Sequence, residues 1–365
     1  MLASLTAHFA DLPDPRMMNK CTHKLLDIVI IAICATVTGA DDWQEIETFG
    51  KSKRKWLQQW LELPNGIPSH DTFERVFQRL DPKAFETRFV EWVSAVFQKT
   101  DEQSVIAIDG KTLRGTNSKL HLVSAWATNN GISLGQFKVD DKSNEITAIP
   151  HLLEMVNIKG SIVTIDAMGC QTAIAEQIIA TKADYILAVK GNQGNLHRHV
   201  EGRFALTDDP RFVNCPQPLY TETVDQRGSL TERRQCWVLA DAEAAKMGWK
   251  ACQTIVRVRY ERDKAGKKSE GTRYFITSLK PDPQLALTGI RAHWGIENSL
   301  HWTLDVVFKE DQARTQHLHA AQNLAVLRRI ALNLVRPYKD KKSMKTRRYQ
   351  AGLDDEFLLR VMQQS

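Results

Sequence analysis

Apolar positions recur every three to four residues through the first hundred positions of the chain. HKLLDIVIIAICATVTG (His23–Gly39) and WQEIETFGKSKRKWLQQWL (Trp43–Leu61) keep that period, which predicts helices. LPNGIPSHDTFERVFQRL combines a turn with a stripe of Phe73, Val76, Phe77 and Leu80, and either Ser69 or Asp71 is a candidate N-cap. DPKAFETRFVEWVSAVF repeats the pattern, so residues 1–100 read as a compact helical domain.

The period then changes. VIAIDG, HLVSAWATNN and GISLGQFKVD are short β-type runs, and Asn129-Asn130-Gly131 predicts a hairpin between the second and third. EITAIPHLLEMV reads as a helix, SIVTIDAMG as a buried strand, CQTAIAEQIIATKA as a helix and DYILAVKGNQG as a strand leading to a loop. Strands alternating with helices predict an α/β sheet with antiparallel edge strands. From 196 to 280 the pattern is mostly alternating, and an inserted β-rich segment is expected. The helical period returns at about Pro283–Thr303 and in HLHAAQNLAVLRRIALNLVR. RPYKDKKSMKTRR reads as a basic tail, and Val326–Arg348 carries nine Lys and Arg against one Asp.

Composition narrows the class. Of 365 residues, 42% are hydrophobic and 25% charged, which suits a globular protein with room for several domains. A net charge of +6 is compatible with a nucleic-acid partner. The six cysteines form no CxxC pair, which argues against a zinc cluster and for reduced thiols in a cytoplasmic protein. MLASLTAHFADLPDPR lacks the form of a signal peptide. LLDIVIIAICATVTGA is shorter than the ~20 residues of a membrane span and reads as a buried helix.

Gly110-Lys111-Thr112 resembles the end of a phosphate-binding loop, but that motif needs a glycine where Val105 stands. A stronger signal is a repeated device. VIAIDG and IVTIDAMG each run four mostly apolar residues into an acid and a small or flexible turn, presenting Asp109 and Asp166. On parallel strands of one sheet, both carboxylates reach the ligand-binding edge. Two such carboxylates favour a hard cation between them, although each Asp also suits a turn or helix cap. Gly110 would let the chain turn away, and Lys111 would face phosphate. In IRAHWGIENSLHWTLDVVFKED, helical spacing aligns His293, Glu297, His301 and Asp305 on one face. Glu297 is then a third metal ligand, a hydrogen-bonded buried Glu, or the acid of a zinc site with His293 and His301. Lys111, Arg114, Lys190, Asn192 and Gln193 are candidate phosphate contacts, or simply solvated loop residues. SHDTFERVFQRL is a candidate helix-turn-helix element without a clear base-reading face.

Three acids on strand, strand and helix, with a β insertion before the helix, resemble the DDE transposases of bacterial insertion sequences. HKLLDIVIIAICATVTGADDWQEIETFG, GIPSHDTFERVF, VIAIDGKTLRG, DDKSNEITAIPHLLEMVNIKG, TIDAMGCQ, YILAVKGNQG and HWGIENSLHWTLDVVFKED resemble, more narrowly, the H-repeat-associated transposases found beside Rhs elements. The resemblance implies a ribonuclease-H-like catalytic core over 101–335, with the β insertion at about 196–280 and the basic tail at 336–365. It implies Asp109, Asp166 and Glu297 as catalytic acids and metal ligands, with His293, His301 and Asp305 in support. It further implies Mg²⁺ or Mn²⁺, two per active site, and double-stranded DNA partners: element terminal inverted repeats and target DNA. A homodimer on DNA is expected from the need to act on two ends. Where related transposases carry Tyr, Arg and Lys around the last acid, this chain has Ile290, His293 and Leu304. Glu232 and Arg234 match a Glu-x-Arg motif whose preceding His-Gly-Arg is not clearly present, leaving Arg234 as a further DNA-contact candidate. A nuclease of the same fold and a catalytically silent or domesticated DNA-binding remnant are the competing readings.

Overall fold

A computed structural model describes residues 2–17, 19, 21–97, 104–115, 120–140, 143–212 and 215–363 of the chain. The first third is helical: α1 Leu2–Ala10, α2 Leu25–Thr38, α3 Trp43–Ser52, α4 Arg54–Leu57, α5 His70–Arg79 and α6 Pro82–Val96. Among the described residues no helix is long and apolar enough to cross a membrane. Instead α2 is buried from Ile28 to Val37, surrounded by other helices.

Strands β1 (Val105–Thr112), β2 (His121–Ala127) and β3 (Ile132–Lys138) come next as an antiparallel meander, with Gly131 at φ +66° closing the predicted hairpin. Helix α7 (Glu145–Met155) crosses over to β4 (Ile162–Ile165), which lies parallel to β1. Helix α8 (Thr172–Ala180) leads to β5 (Asp184–Val189), parallel to β4. The stretch expected as a β insertion begins instead with helix α9 (Gly194–Asp208). Its strands β6 (Leu219–Arg227), β7 (Leu230–Ala240), β8 (Thr254–Lys264) and β9 (Lys267–Thr277), with the short α10 (Glu243–Lys246), do not stand apart. β9 pairs antiparallel with the free edge of β5, so one sheet runs β3-β2-β1-β4-β5-β9-β8-β7-β6 among the described residues.

Alternation along β1 divides the core. Ile106 and Ile108 join Val163, Ile165 and Leu187 against Ile149, Leu152 and Ile174 of the crossover helices. Val105 faces the other way, in a cluster with Leu287 and Ile290 of α11 (Pro283–Gly295). Ala107 shares a core with Ile296, Leu300 and Leu304, on the helical run that continues α11 through a π-helical turn (Ile296–His301) into α12 (Trp302–Val306).

Helix α13 (Leu318–Val335) is buried from Ala320 to Val335, wedged between sheet and N-terminal helices. Its polar side chains are bonded at that depth. Asn323 donates to the Phe77 and Leu80 carbonyls at 2.9 and 3.0 Å, and Asn333 exchanges two bonds with the Ser133 backbone. The N-terminal helices therefore share a core with the sheet, and α5 buries Phe73, Val76 and Phe77 in it. The expected basic tail is also folded: α14 (Met344–Leu353) and α15 (Asp355–Gln363) bury Ala351, Phe357, Leu358, Val361 and Met362 in that same core. The i, i+1, i+4, i+5 spacing in α15 makes the apolar stripe that the Lys and Arg count obscured.

Candidate active site

The last paired position between β1 and β4 is Ile108 with Ile165. Asp109 and Asp166 are the next residues on each strand, so two acids leave neighbouring parallel strands side by side, about 4.8 Å apart at the backbone. Asp166 caps the turn beyond β4, its Oδ1 accepting from the Met168 and Gly169 N–H groups at 3.0 and 3.3 Å. Asn192, although exposed, and Gln193 each turn an amide group toward the protein. Their amides donate to the Ala167 carbonyl at 2.6 Å and the Cys170 carbonyl at 2.9 Å, which holds the loop carrying Asp166.

Gly110 does not turn the chain away, because β1 stays paired with β2 through Thr112. Its missing side chain serves the opposite face. A Cβ there would stand 2.0 Å from Glu145 Oε1, which is hydrogen-bonded to His121 Nε2 at 2.8 Å across the glycine.

The third acid comes from the π-helical turn. A π turn adds a residue to the helical repeat and rotates the helix beyond it, a feature common at functional sites. The expected row of four is accordingly shared out. His293 is within hydrogen-bond reach of Thr164 Oγ1 through its Nδ1, at 3.1 Å. Glu297 opens into a cleft of about 330 Å³ lined also by Asp109, Asp166, His293, Lys190 and Arg273. His301 is buried with Nε2 3.3 Å from Asp109 Oδ2, out of line for a hydrogen bond, and neither ring nitrogen has a hydrogen-bond partner. Asp305 turns away to Lys111. Burial lowers the pKa of His293, against the opposing pull of Asp109, Asp166 and Glu297, which places all three carboxylates around one imidazole.

Among the described residues no Lys or Arg pairs with Asp109, Asp166 or Glu297, whereas the neighbouring acids Asp225, Glu232, Asp305 and Glu310 each have a cationic partner. Three carboxylates without a Lys or Arg partner, facing one cleft, fit a hard divalent cation by the chemistry of the donor set. As the side chains are placed, no group of three or more His, Cys, Asp or Glu among the described residues stands close enough together to hold a metal ion.

The other sequence candidates divide. Lys190 is exposed at the cleft, and Arg114 has an 87% exposed side chain. Lys111 departs from the expectation: its side chain is 9% exposed and its ammonium group is ion-paired to Asp305 and Glu310. Arg234 is likewise engaged, with Asp225 at 2.8 Å and Glu232 at 2.5 Å. Sequence reasoning missed Arg273, whose guanidinium lies 4.8 Å over the Trp294 ring at the cleft wall. It also missed Glu310 and Arg329. The adjacent arginines inside the apolar LAVLRRIALNLV were the available signal for a buried ion pair.

Comparison with known proteins gives the family. Residues 100–334 match the family described as Transposase DDE domain, and residues 6–93 match the one described as DDE_Tnp_1-associated. The chain belongs to the DDE transposase family of insertion sequences. Over 99% of its length it is 40% identical to "Putative transposase YncI" of Escherichia coli O157:H7, covering 95% of that protein. It is 38% identical, again over 99% of its length, to "H repeat-associated putative transposase YhhI" of Escherichia coli K12, covering 98% of it. A shorter relative, "Inactive transposase YbfQ" of the same strain, is 44% identical across 20% of this chain.

Proposed function

We propose that the chain is an active insertion-sequence transposase that cleaves phosphodiesters at element ends and transfers the freed strands to target DNA. The observation that carries this reading is the convergence of Asp109, Asp166 and Glu297, none held by a Lys or Arg, on one cleft. Sheet order supports a ribonuclease-H-like core: β3, β2 and β1 are antiparallel, and β1, β4 and β5 are parallel.

In this mechanism Asp109, Asp166 and Glu297 would hold Mg²⁺ or Mn²⁺, two ions per site. Bound divalent cations supply Lewis-acid charge that activates water or a DNA 3′-hydroxyl and stabilises the leaving oxygen. The protein's own share is positioning. Asp166 is fixed by its turn, whose carbonyls Asn192 and Gln193 hold. Lys190 and Arg273 offer positive charge to the scissile strand's phosphates where it enters the cleft. His293, whose pKa burial lowers, lies within hydrogen-bond reach of Thr164 behind the acids. The partners are double-stranded terminal repeats and target DNA, and a homodimer joins two ends in the cytoplasm.

The test is cleavage and joining of a labelled duplex carrying the element's own end, with Mg²⁺ or Mn²⁺. Wild type is run beside Asp109→Ala, Asp166→Ala, Glu297→Ala and Asp305→Ala. Loss in the first three with residual activity in the last supports the reading. Activity in Glu297→Ala removes Glu297 from the set. Cleavage without joining points to a nuclease, and binding without cleavage to a silent remnant.

A further inference from the structure

Beyond Asp109, β1 continues into a second, interior set of charges. Asp109 and Lys111 are two residues apart and so point to the same side of the sheet, along the helical run that carries Glu297. Lys111 is 9% exposed and reaches Asp305 of α12 and, at 3.0 Å, Glu310 Oε2. Glu310 is fully buried, and its other oxygen takes a 3.0 Å bond from Arg329 of α13, itself fully buried. Arg329 also donates to Ser124 Oγ at 3.3 Å, and Ser124 is the residue of β2 paired with Asp109. Burial alone would raise the Glu310 pKa, but Arg329 and then Lys111 pull it down to about 2. The exit of β1 is seated on the same loop. The Arg114 N–H donates to Asp311 Oδ1 at 3.2 Å, and a Cβ on Gly115 would stand 2.6 Å from the Asp311 and Ala313 carbonyl oxygens.

These charges tie the strand of the first acid to the helix of the third, and none of them lines the cleft. We propose that Lys111 is a positioning residue: through Asp305 and Glu310 it clamps β1 against α12 and sets the separation of Asp109 and Glu297 that a shared cation requires. The physical need is clear. Asp109 and Glu297 come from different elements, and the π turn between α11 and α12 makes the register of that helix adjustable. An ion pair one strand step beyond Asp109 and two helical turns beyond Glu297 removes that freedom. The inference rests on the proposed function, and its test has a readout independent of cleavage.

Lys111→Met and Asp305→Asn are compared with wild type, using Mn²⁺ as the probe and the labelled end duplex as substrate. Cleavage at saturating DNA should fall about tenfold or more, as for small misplacements of catalytic groups, with half-saturating Mn²⁺ raised. Affinity for the duplex and its salt dependence should stay at wild-type values. The rise in melting temperature caused by Mn²⁺ should shrink in both variants, and the double variant should be no worse than the stronger single one. Weaker duplex binding with a shallower salt slope in Lys111→Met would make Lys111 a phosphate contact and overturn the clamp. Unchanged cleavage and an unchanged Mn²⁺ response would also overturn it, leaving a purely structural ion pair. If wild type does not cleave, the proposed function fails while the clamp is still decided. A smaller Mn²⁺ shift in Asp305→Asn supports it, and an equal shift ends it.

Discussion

Glu297 and Asp305 lie on the same helical run, yet they are put to opposite uses. Glu297 opens into the cleft beside Asp109 and Asp166 with no cationic side chain paired to it, whereas Asp305 is paired with Lys111. The cleft keeps its carboxylates unneutralised, at a cost in mutual repulsion, and so retains the capacity to hold a cation. The interior network commits its carboxylates to Lys111 and Arg329, and so contributes rigidity. The same residue type becomes chemistry or scaffold according to whether the fold supplies a partner.

That contrast can be broken most sharply by charge removal on each side. Asp109→Asn, Asp166→Asn and Glu297→Gln should each lower strand cleavage by about a thousandfold, the scale of losing preorganised electrostatic stabilisation. Without metal the same changes should leave the melting temperature unchanged or raised, since repulsion is relieved. Mg²⁺ should raise the melting temperature of wild type more than that of these variants. A variant in this set that unfolds would put its residue in the scaffold class.

In the network the outcome should be reversed. Glu310→Gln leaves Arg329 buried without its charge partner and should cost about 3–5 kcal/mol, measured by denaturant unfolding. A change within experimental error would mean that the pair is dispensable to the fold.

A second buried acid sharpens the comparison through pH. Glu86 accepts from the Gln136 N–H at 2.9 Å, and burial raises its pKa from 4.5 to about 7, against the pull of that bond and of Arg329. Its folded pKa lies above the unfolded one, so its contribution is full below pH 4.5 and is lost as pH rises through 7. Glu310 runs the other way, with stability present above pH 4.5 and lost as pH falls towards 2. Glu86→Gln should therefore flatten the decline in melting temperature between pH 4.5 and 7. An undiminished decline would assign it to other groups. The smallest effect is expected at the cleft mouth. Lys190→Ala should weaken duplex binding a few-fold and lower the salt slope by about one. No change would make Lys190 a solvated loop residue.

Much of the fold was legible in the chain. The four apolar residues before Asp109 and the Ile-Val-Thr-Ile run before Asp166 mark strands buried on both faces, and such strands have few places to go but the middle of a sheet. The hairpin at Asn129-Asn130-Gly131 and the periods of α2, α5 and α13 were equally plain. The roles of the charges around them were not. Lys111 next to a candidate catalytic acid reads as a phosphate contact, because nothing near it in sequence announces Glu310, 199 residues away. Arg234 reads as free until β6 brings Asp225 beside it. The row His293, Glu297, His301 and Asp305 assumes 3.6 residues per turn, and the π turn at Ile296–His301 shares those residues among four different neighbours.

The sequence by itself determined most of the elements, the two strand-tip acids and the family, because hydrophobic period and short motifs are local properties that survive without a fold. Tertiary structure alone decided which charges meet. A carboxylate's role depends on whether a cation stands within a few ångströms, and for Asp305, Glu310 and Arg329 that is set by how β1, α12 and α13 pack across one another.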